Sequence, residues 1–407
     1  MTPKQAMTKL SAHHLDSIAA REPSTPGRPL AFALAVGLPV MMAQRLCGED
    51  HVDYRFHDYR EEADRIHVQT HSAYFELAVH PSLTLSGEFV YDAISGASPT
   101  GAPPPAGSQQ VPLAHLEDVR TAGNLSAAIR WGGNQTTTPQ FAYSLENDYE
   151  SVGLSLNHTV ELNQKNTTLI LGLAYTYDEI FPKFWNGDKD YKNGGDVLLG
   201  VSQLLGSKSI FTANFTVGTS RGYLADPYKR FRFSDYPVES VTFPERRPDH
   251  RGKQVGYFSL THFVTPLNGS AELTYRIYHD SYEILSHTVA VSWFQKIGEH
   301  ILISTTFRFM DQSAAYFYAV QLRGDPTVPP DDPFGPGVAI PAAYSADYRL
   351  SDLQTFTYGL SAAVKIKDRL TFDLGYRRYE MAGRDHQTSQ SAYPKANIYS
   401  VGLRVWF

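Results

Sequence analysis

Sixteen stretches of this chain alternate apolar and polar residues, and the connections between them alternate in length. The stretches lie near 52–60, 65–80, 84–97, 119–132, 138–148, 151–163, 166–180, 194–206, 209–222, 253–266, 271–284, 285–298, 301–319, 351–367, 369–382 and 396–407. Period-2 alternation bounded by turn residues is the mark of a half-buried strand. Counted back from the C-terminus, every second connection is short: 367–369, 297–300, 266–269, 206–208, 163–166, 132–135 and 80–82. The other series holds all the long ones, at 98–118, 181–193, 223–252, 320–350 and 383–395. A soluble sandwich has no reason to sort its loops in this way. A transmembrane antiparallel β-barrel does, with short periplasmic turns and long extracellular loops. About 16 strands are expected, with 14 as the alternative count because 52–60 and 285–298 alternate least clearly. In 65–80 the apolar positions change parity between Val68 and Ala73, which predicts a β-bulge near Thr70–Ser72.

Composition is consistent with that architecture. Tyr and Phe number 25 and 22, while mean hydropathy is only −0.31. A membrane protein built of helices needs runs of about 20 apolar residues, whereas a barrel hides behind the polar half of each strand. The one apolar run, Leu30 to Ala43 behind Arg28, reads as a secretory leader over 1–43, which leaves 44–407 as a single barrel domain. Removing 1–43 takes four basic and two acidic residues and moves the formal net charge from −6 to −8. An acidic chain without basic clusters offers no electrostatic footprint for nucleic acid. Cys47 is the only cysteine, so no disulfide forms within the chain.

The last strand adds an address. Tyr399, Val401, Leu403, Val405 and Phe407 fall on one face, and Ser400 and Arg404 on the other. This ending resembles the C-terminal signal of bacterial outer-membrane barrels. The resemblance implies outer-membrane lipid around the barrel and the barrel-assembly machinery as a partner.

Charges on a lipid-facing wall would each cost about 2–4 kcal/mol for Arg or Lys at mid-membrane, so strand charges are expected inside. The lumen candidates are Glu88, Asp92, Arg120, Arg130, Glu161, Asp178, Glu272, Arg276, Arg308, Lys365, Asp373, Arg377 and Arg404. They either tune passage of a solute or pair with one another to fill the interior. In the loops, Asp226, Arg246, Arg247 and Arg251 are the candidates, the segment 246–251 either attracting anions or pairing with Asp226, Asp235, Glu239 and Asp249. The loop 187–194 has calcium-like oxygen ligands, but Lys192 occupies a ligand position, so no metal is expected. His57, His67, His71 and His80 lack a carboxylate cluster, and no Gly-x-Ser-x-Gly elbow is present. No cofactor and no catalysis are expected.

Four strings are distinctive: Asp92 to Pro99, Glu146 to Tyr149, Gly222 to Lys229, and Asp347 to Ser351. With the terminal Phe407, they make residues 52–407 resemble a bacterial family of uncharacterised outer-membrane proteins, the domain-of-unknown-function family numbered 3570. The resemblance implies an outer-membrane location and brings no assigned activity. The functional expectation is a porin-like channel or facilitator for a small solute. The alternative is a plugged barrel serving as a scaffold or binding module for a periplasmic or extracellular partner.

Overall fold

The computed structural model describes residues 50–181, 188–238, 240–328, 338–367 and 369–407. The leader at 1–43, Cys47, Gly187 and Glu239 lie outside the described residues. The strands are β1 (His51–Glu61), β2 (His67–His80), β3 (Leu83–Pro99), β4 (Leu113–Trp131), β5 (Gln135–Leu145), β6 (Tyr149–Leu162), β7 (Thr167–Ile180), β8 (Asp190–Leu204) and β9 (Ser209–Gly222). Then follow β10 (Arg230–Phe231), β11 (Phe243–Pro244), β12 (His250–Val264), β13 (Gly269–Asp280), β14 (Leu285–Ile297), β15 (Ile301–Gln312), β16 (Leu353–Ile366), β17 (Leu370–Gly383) and β18 (Lys395–Trp406). All except β10 and β11 form one closed antiparallel barrel of sixteen strands, each paired with its neighbour in sequence. β10 and β11 form a small hairpin inside the long β9–β12 connection. Both weakly alternating segments, 52–60 and 285–298, are strands of the wall.

The outer surface follows from the sequence pattern. On β7, Leu169, Leu171, Leu173, Tyr175 and Tyr177 point outward and are exposed, while Ile170, Thr176 and Asp178 point inward and are buried. Tyr399, Leu403, Val405 and Phe407 are likewise exposed, Val401 is half-buried on the same face, and Arg404 faces inward.

No bulge interrupts β2 at Thr70–Ser72. β1 and β2 pair without a break from His51–Glu76 to Arg60–His67, and the one register shift of β2 against β3 falls between Ala78 and His80. The change of parity has another cause. Ile66 and Val68 face inward into an apolar cluster with Tyr59, Ile94, Leu116 and Tyr379 at the loop end. Apolar residues therefore lie on both faces of β2, at different heights.

That cluster is one of four, and all gather at the end of the barrel that carries the long loops. Phe231, Phe233, Tyr344 and Ala346 form a second, with ring centroids 4.8–5.2 Å apart. The loop 313–352 supplies Ala315, Phe317 and Leu350 to a third. Residues 313–319 look like strand in sequence, yet they leave the wall after Gln312 and fold over the mouth. The core of this molecule is thus a cap.

Small residues set the interior. Asp196 on β8, Gly218 on β9 and Lys253 on β12 are register partners in one row, and Lys253 reaches Asp196 across the glycine at 2.9 Å. Asp373 on β17, Gly402 on β18 and Arg55 on β1 repeat the device, with a 3.4 Å contact. A Cβ at Gly402 would lie 2.2 Å from the Asp373 carboxylate. Closure is made by β1 against β18 over eleven residue pairs. Near the turns, Arg404 Nε donates to Asp53 across this seam at 2.6 Å. At the loop end Arg65 donates to the carbonyls of Ser391 and Ala392, at 2.9 and 3.1 Å.

Candidate functional site

The four distinctive strings, far apart in sequence, meet at the mouth. Arg120 Nε donates to Asp92 at 2.7 Å and lies 4.0 Å from Glu146. Tyr228 donates its hydroxyl to Asp148, which is 80 residues away in the chain. Lys229 Nζ donates to the carbonyl of Pro99 at 2.5 Å and lies 5.4 Å from the Tyr348 ring centroid. Arg349 bridges Asp226 and Asp347. Two of the glycines in these strings are there for backbone reasons. Gly96 and Gly222 have φ of +120° and +112°, and a Cβ on either would run into a carbonyl, of Arg65 and Tyr191 respectively.

At the centre sits a buried ionic network of two loops, 223–249 and 313–352. Arg247 contacts Glu245 at 2.7 Å and donates to Asp347 at 2.7 Å. Glu245 also accepts from the Ser345 hydroxyl and, at 2.5 Å, from the Asp226 amide. Asp347 accepts from Arg349 Nε at 2.8 Å and caps the short 3-10 turn at Tyr348–Leu350. Lys229, Glu245 and Asp347 are 3%, 4% and 1% exposed, so this network is a solid junction and not a solvated surface. Burial works against ionised Asp347, but Arg349, Lys229 and Arg247 outweigh it and hold its carboxyl well below the usual range. Burial wins at the other two, pushing Glu245 up and Lys229 down.

Beside this junction, Asp118, Glu146 and Asp148 bring carboxylate oxygens within 4.8 Å of one another. Burial raises Glu146 to about 7; Arg120 opposes, and Asp118, Asp148 and Asp92 add to the rise.

Two of the three loop arginines are drawn into carboxylates. Arg247 is consumed by Glu245 and Asp347, and Arg251 by Asp280, whose carboxylate its Nε reaches at 2.8 Å. Arg246 is exposed, with its guanidinium 5.8 Å from the Tyr344 ring. Two of the expected partners are engaged elsewhere. Asp226 goes to Arg349, and Asp235 lies 3.5 Å from Arg323. Two charges of like sign at neighbouring positions, Arg246 and Arg247, have opposite fates because β-type alternation points them to opposite sides.

The lumen candidates all sit at inward positions. Glu88 lies 3.5 Å from the Asn124 amide, Glu161 pairs with Lys165 at 3.0 Å, and Asp178 with Lys192 at 3.4 Å. Glu272 is buried and accepts from Ser259 at 3.0 Å. Arg276 lies 5.3 Å from the Tyr278 ring, and Lys365 lies 6.0 Å from that of Trp406. Arg308 is half-buried between Ala290 and Thr357 in the register. Arg130 is exposed by a short turn and reaches Pro81 O at 3.3 Å. Asp373, Arg377 and Arg404 line the β16–β18 side and are half-buried. The histidines stay apart: His67 contacts Asp58 at 2.5 Å, His71 Tyr54 at 2.8 Å and His80 Ser82 at 2.8 Å. Sequence reasoning passed over Arg55, Asp53, Lys229, Glu245, Asp347 and Arg349 as individual site residues. Three of them lay inside or beside the distinctive strings, which was the available signal.

The family described as "Protein of unknown function (DUF3570)" matches residues 31–115, 106–186 and 181–399. No curated protein matches the sequence. Among solved structures, the chain is similar to the siderophore receptor PirA from Acinetobacter baumannii, at 12% identity, TM-score 0.42, with 84% of this chain and 54% of that one covered. It is also similar to a bacterial polysaccharide outer membrane secretin, at 8% identity, TM-score 0.48, covering 89% and 100%. A third is the CymD monoaromatic hydrocarbon channel, at 8% identity, TM-score 0.41, covering 88% and 89%. The chain spans 54% and 62% of the lengths of the two PirA receptors it matches.

Proposed function

The chain belongs to the DUF3570 family, and from that premise we propose that it is a bacterial outer-membrane barrel that passes a small solute through its lumen, with entry governed by the cap. Bilayer lipid covers the apolar outer belt, the barrel-assembly machinery reads the strand ending in Phe407, and the protein performs no catalysis. The observation that carries this reading is the state of the lower lumen wall. Toward the short turns, Asp53, Arg55, Asp373, Arg377 and Arg404 are half-buried among Thr306, Ser361, Thr371 and Ser400, which are themselves half-buried. Small hydroxyl side chains do not fill a ring of sixteen strands, a size at which barrels can hold an aqueous channel. The apolar clusters lie at the opposite end, in the cap, while on the β13–β15 side of the lower wall Ser270, Glu272, Phe294 and Ser304 are buried.

The cap itself favours a second reading, a plugged scaffold, because Phe231, Ser345 and Ser351 are completely buried at the mouth. Reconstitution into planar bilayers separates the two. Stepwise conductance is expected for the channel, and silence at every salt concentration would overturn it.

A further inference from the structure

Four of the lumen-facing arginines, Arg55, Arg120, Arg251 and Arg404, each have an aspartate partner in the wall. Arg377 on β17 faces the same lumen, is half-buried, and pairs with no acid among the described residues. Its surroundings are built of small groups. Across the register it faces Gly359 on β16, where a Cβ would lie 2.6 Å from Arg377 Cγ, so its stem lies over that glycine. The next inward position on β17 is Gly375, whose partners are Ser361 and Ser400. A Cβ at Gly375 would lie 2.5 Å from Ser400 Oγ, so that hydroxyl leans over the gap. One row further toward the turns, Arg55 crosses Gly402 to Asp373.

We propose that Arg377, with the Ser400 hydroxyl one row and the Arg55 guanidinium two rows toward the turns, forms an oxyanion-binding site on the lumen wall. It takes a small solute carrying a carboxylate or phosphate group. Inward positions on one strand are about 6.7 Å apart, so Ser400 stands one such step and Arg55 two steps from the Arg377 row, a span that two long arginine side chains reach across. A planar guanidinium binds carboxylate or phosphate through two parallel N–H donors, and a hydroxyl supplies one more. Asp373 is taken by Arg55, and Arg377 pairs with no acid among the described residues, which leaves a positive charge for a ligand. Rings of Arg and Lys select anions in other pores by the same logic. The site rests on the reading of the lumen as a solute path.

Inorganic phosphate is the probe, titrated calorimetrically into the full barrel in detergent. Saturable millimolar binding is expected, weakened at least tenfold by Arg377→Gln and severalfold by Ser400→Ala, with Arg377→Lys recovering only part. Arg130→Gln, at the exposed turn end, leaves it unchanged. Retained heat-modifiable migration on gels shows that each variant is folded. Absence of phosphate binding, or equal binding by wild type and folded Arg377→Gln, overturns the site. In bilayers, phosphate is expected to depress chloride current in wild type and not in Arg377→Gln. Current that ignores phosphate removes the site and leaves the channel standing. Calorimetric binding without any current keeps the site and removes the channel.

Discussion

Asp347→Asn tests whether the ionic junction holds the cap shut. In the closed mouth this carboxylate faces Arg247 and Arg349 directly, and Lys229 acts on it as well. The substitution keeps size and hydrogen-bonding ability but leaves three buried cations opposite only Asp226 and Glu245. Removing one partner of a buried pair costs about 3–5 kcal/mol because the remaining charge stays desolvated. If the cap opens as a unit, this raises its open population by a factor of about 10²–10⁴. Lys229 is a built-in reporter, since its side chain is 3% exposed when the cap is closed. Trypsin reaches the Lys229–Arg230 bond only after opening, and cleavage then tracks the open fraction when reclosing is fast. The internal standard is Arg323, whose side chain is 78% exposed in the closed form. A large gain in cleavage after Lys229, with none after Arg323 and the barrel still folded, is expected. Cleavage after Lys229 within about twofold of wild type would refute the latch.

Three other outcomes follow from the same contacts. Glu146 has a raised pKa, so it favours the folded mouth below its unfolded value near 4.5, and that contribution is lost as pH rises to about 7. Glu146→Gln should therefore flatten the melting-temperature profile between those values, and an unchanged slope would remove Glu146 as its source. Gly402→Ala should cost about 1–3 kcal/mol by urea denaturation, since its methyl displaces Asp373 from Arg55. Gly252→Ala, where the nearest neighbouring atom is 3.9 Å away, is the matched control and should be near neutral. Phe407→Ser should lower the amount of assembled protein in bacterial membranes while changing the folded barrel by less than about 0.5 kcal/mol, because that side chain is 68% exposed. Equal assembly would show that the ending is not a signal.

The barrel was legible because a two-residue period and the sorting of loop lengths both survive without knowledge of contacts. Parity alone put Arg377, Asp373 and Arg404 inside, since the opposite choice would bury charge in lipid. Partners were not legible. Asp53 and Arg404 are 351 positions apart, and only the register of β1 on β18 brings them together. Arg55 was missed because its strand alternates weakly, with Tyr54 and Phe56 outside but Tyr59 inside. The extent of β4 and β15 was misjudged for a related reason. Leu116 and Ala315 are apolar because they pack into the cap clusters, and such burial follows no strand period.

The seam between the first and last strands faces a recognition problem that hydrophobicity cannot solve. Sliding β18 by two residues along β1 would leave every apolar side chain outside and every polar one inside, because the pleat repeats every two residues. Lipid and water would scarcely distinguish the slipped barrel from the true one. The polar contacts would. Such a slip parts Arg404 from Asp53, moves Gly402 out from beneath the Arg55–Asp373 bridge, and takes the Ser391 and Ala392 carbonyls away from Arg65. These residues act as a combination lock on ring closure, and only one alignment satisfies all three at once.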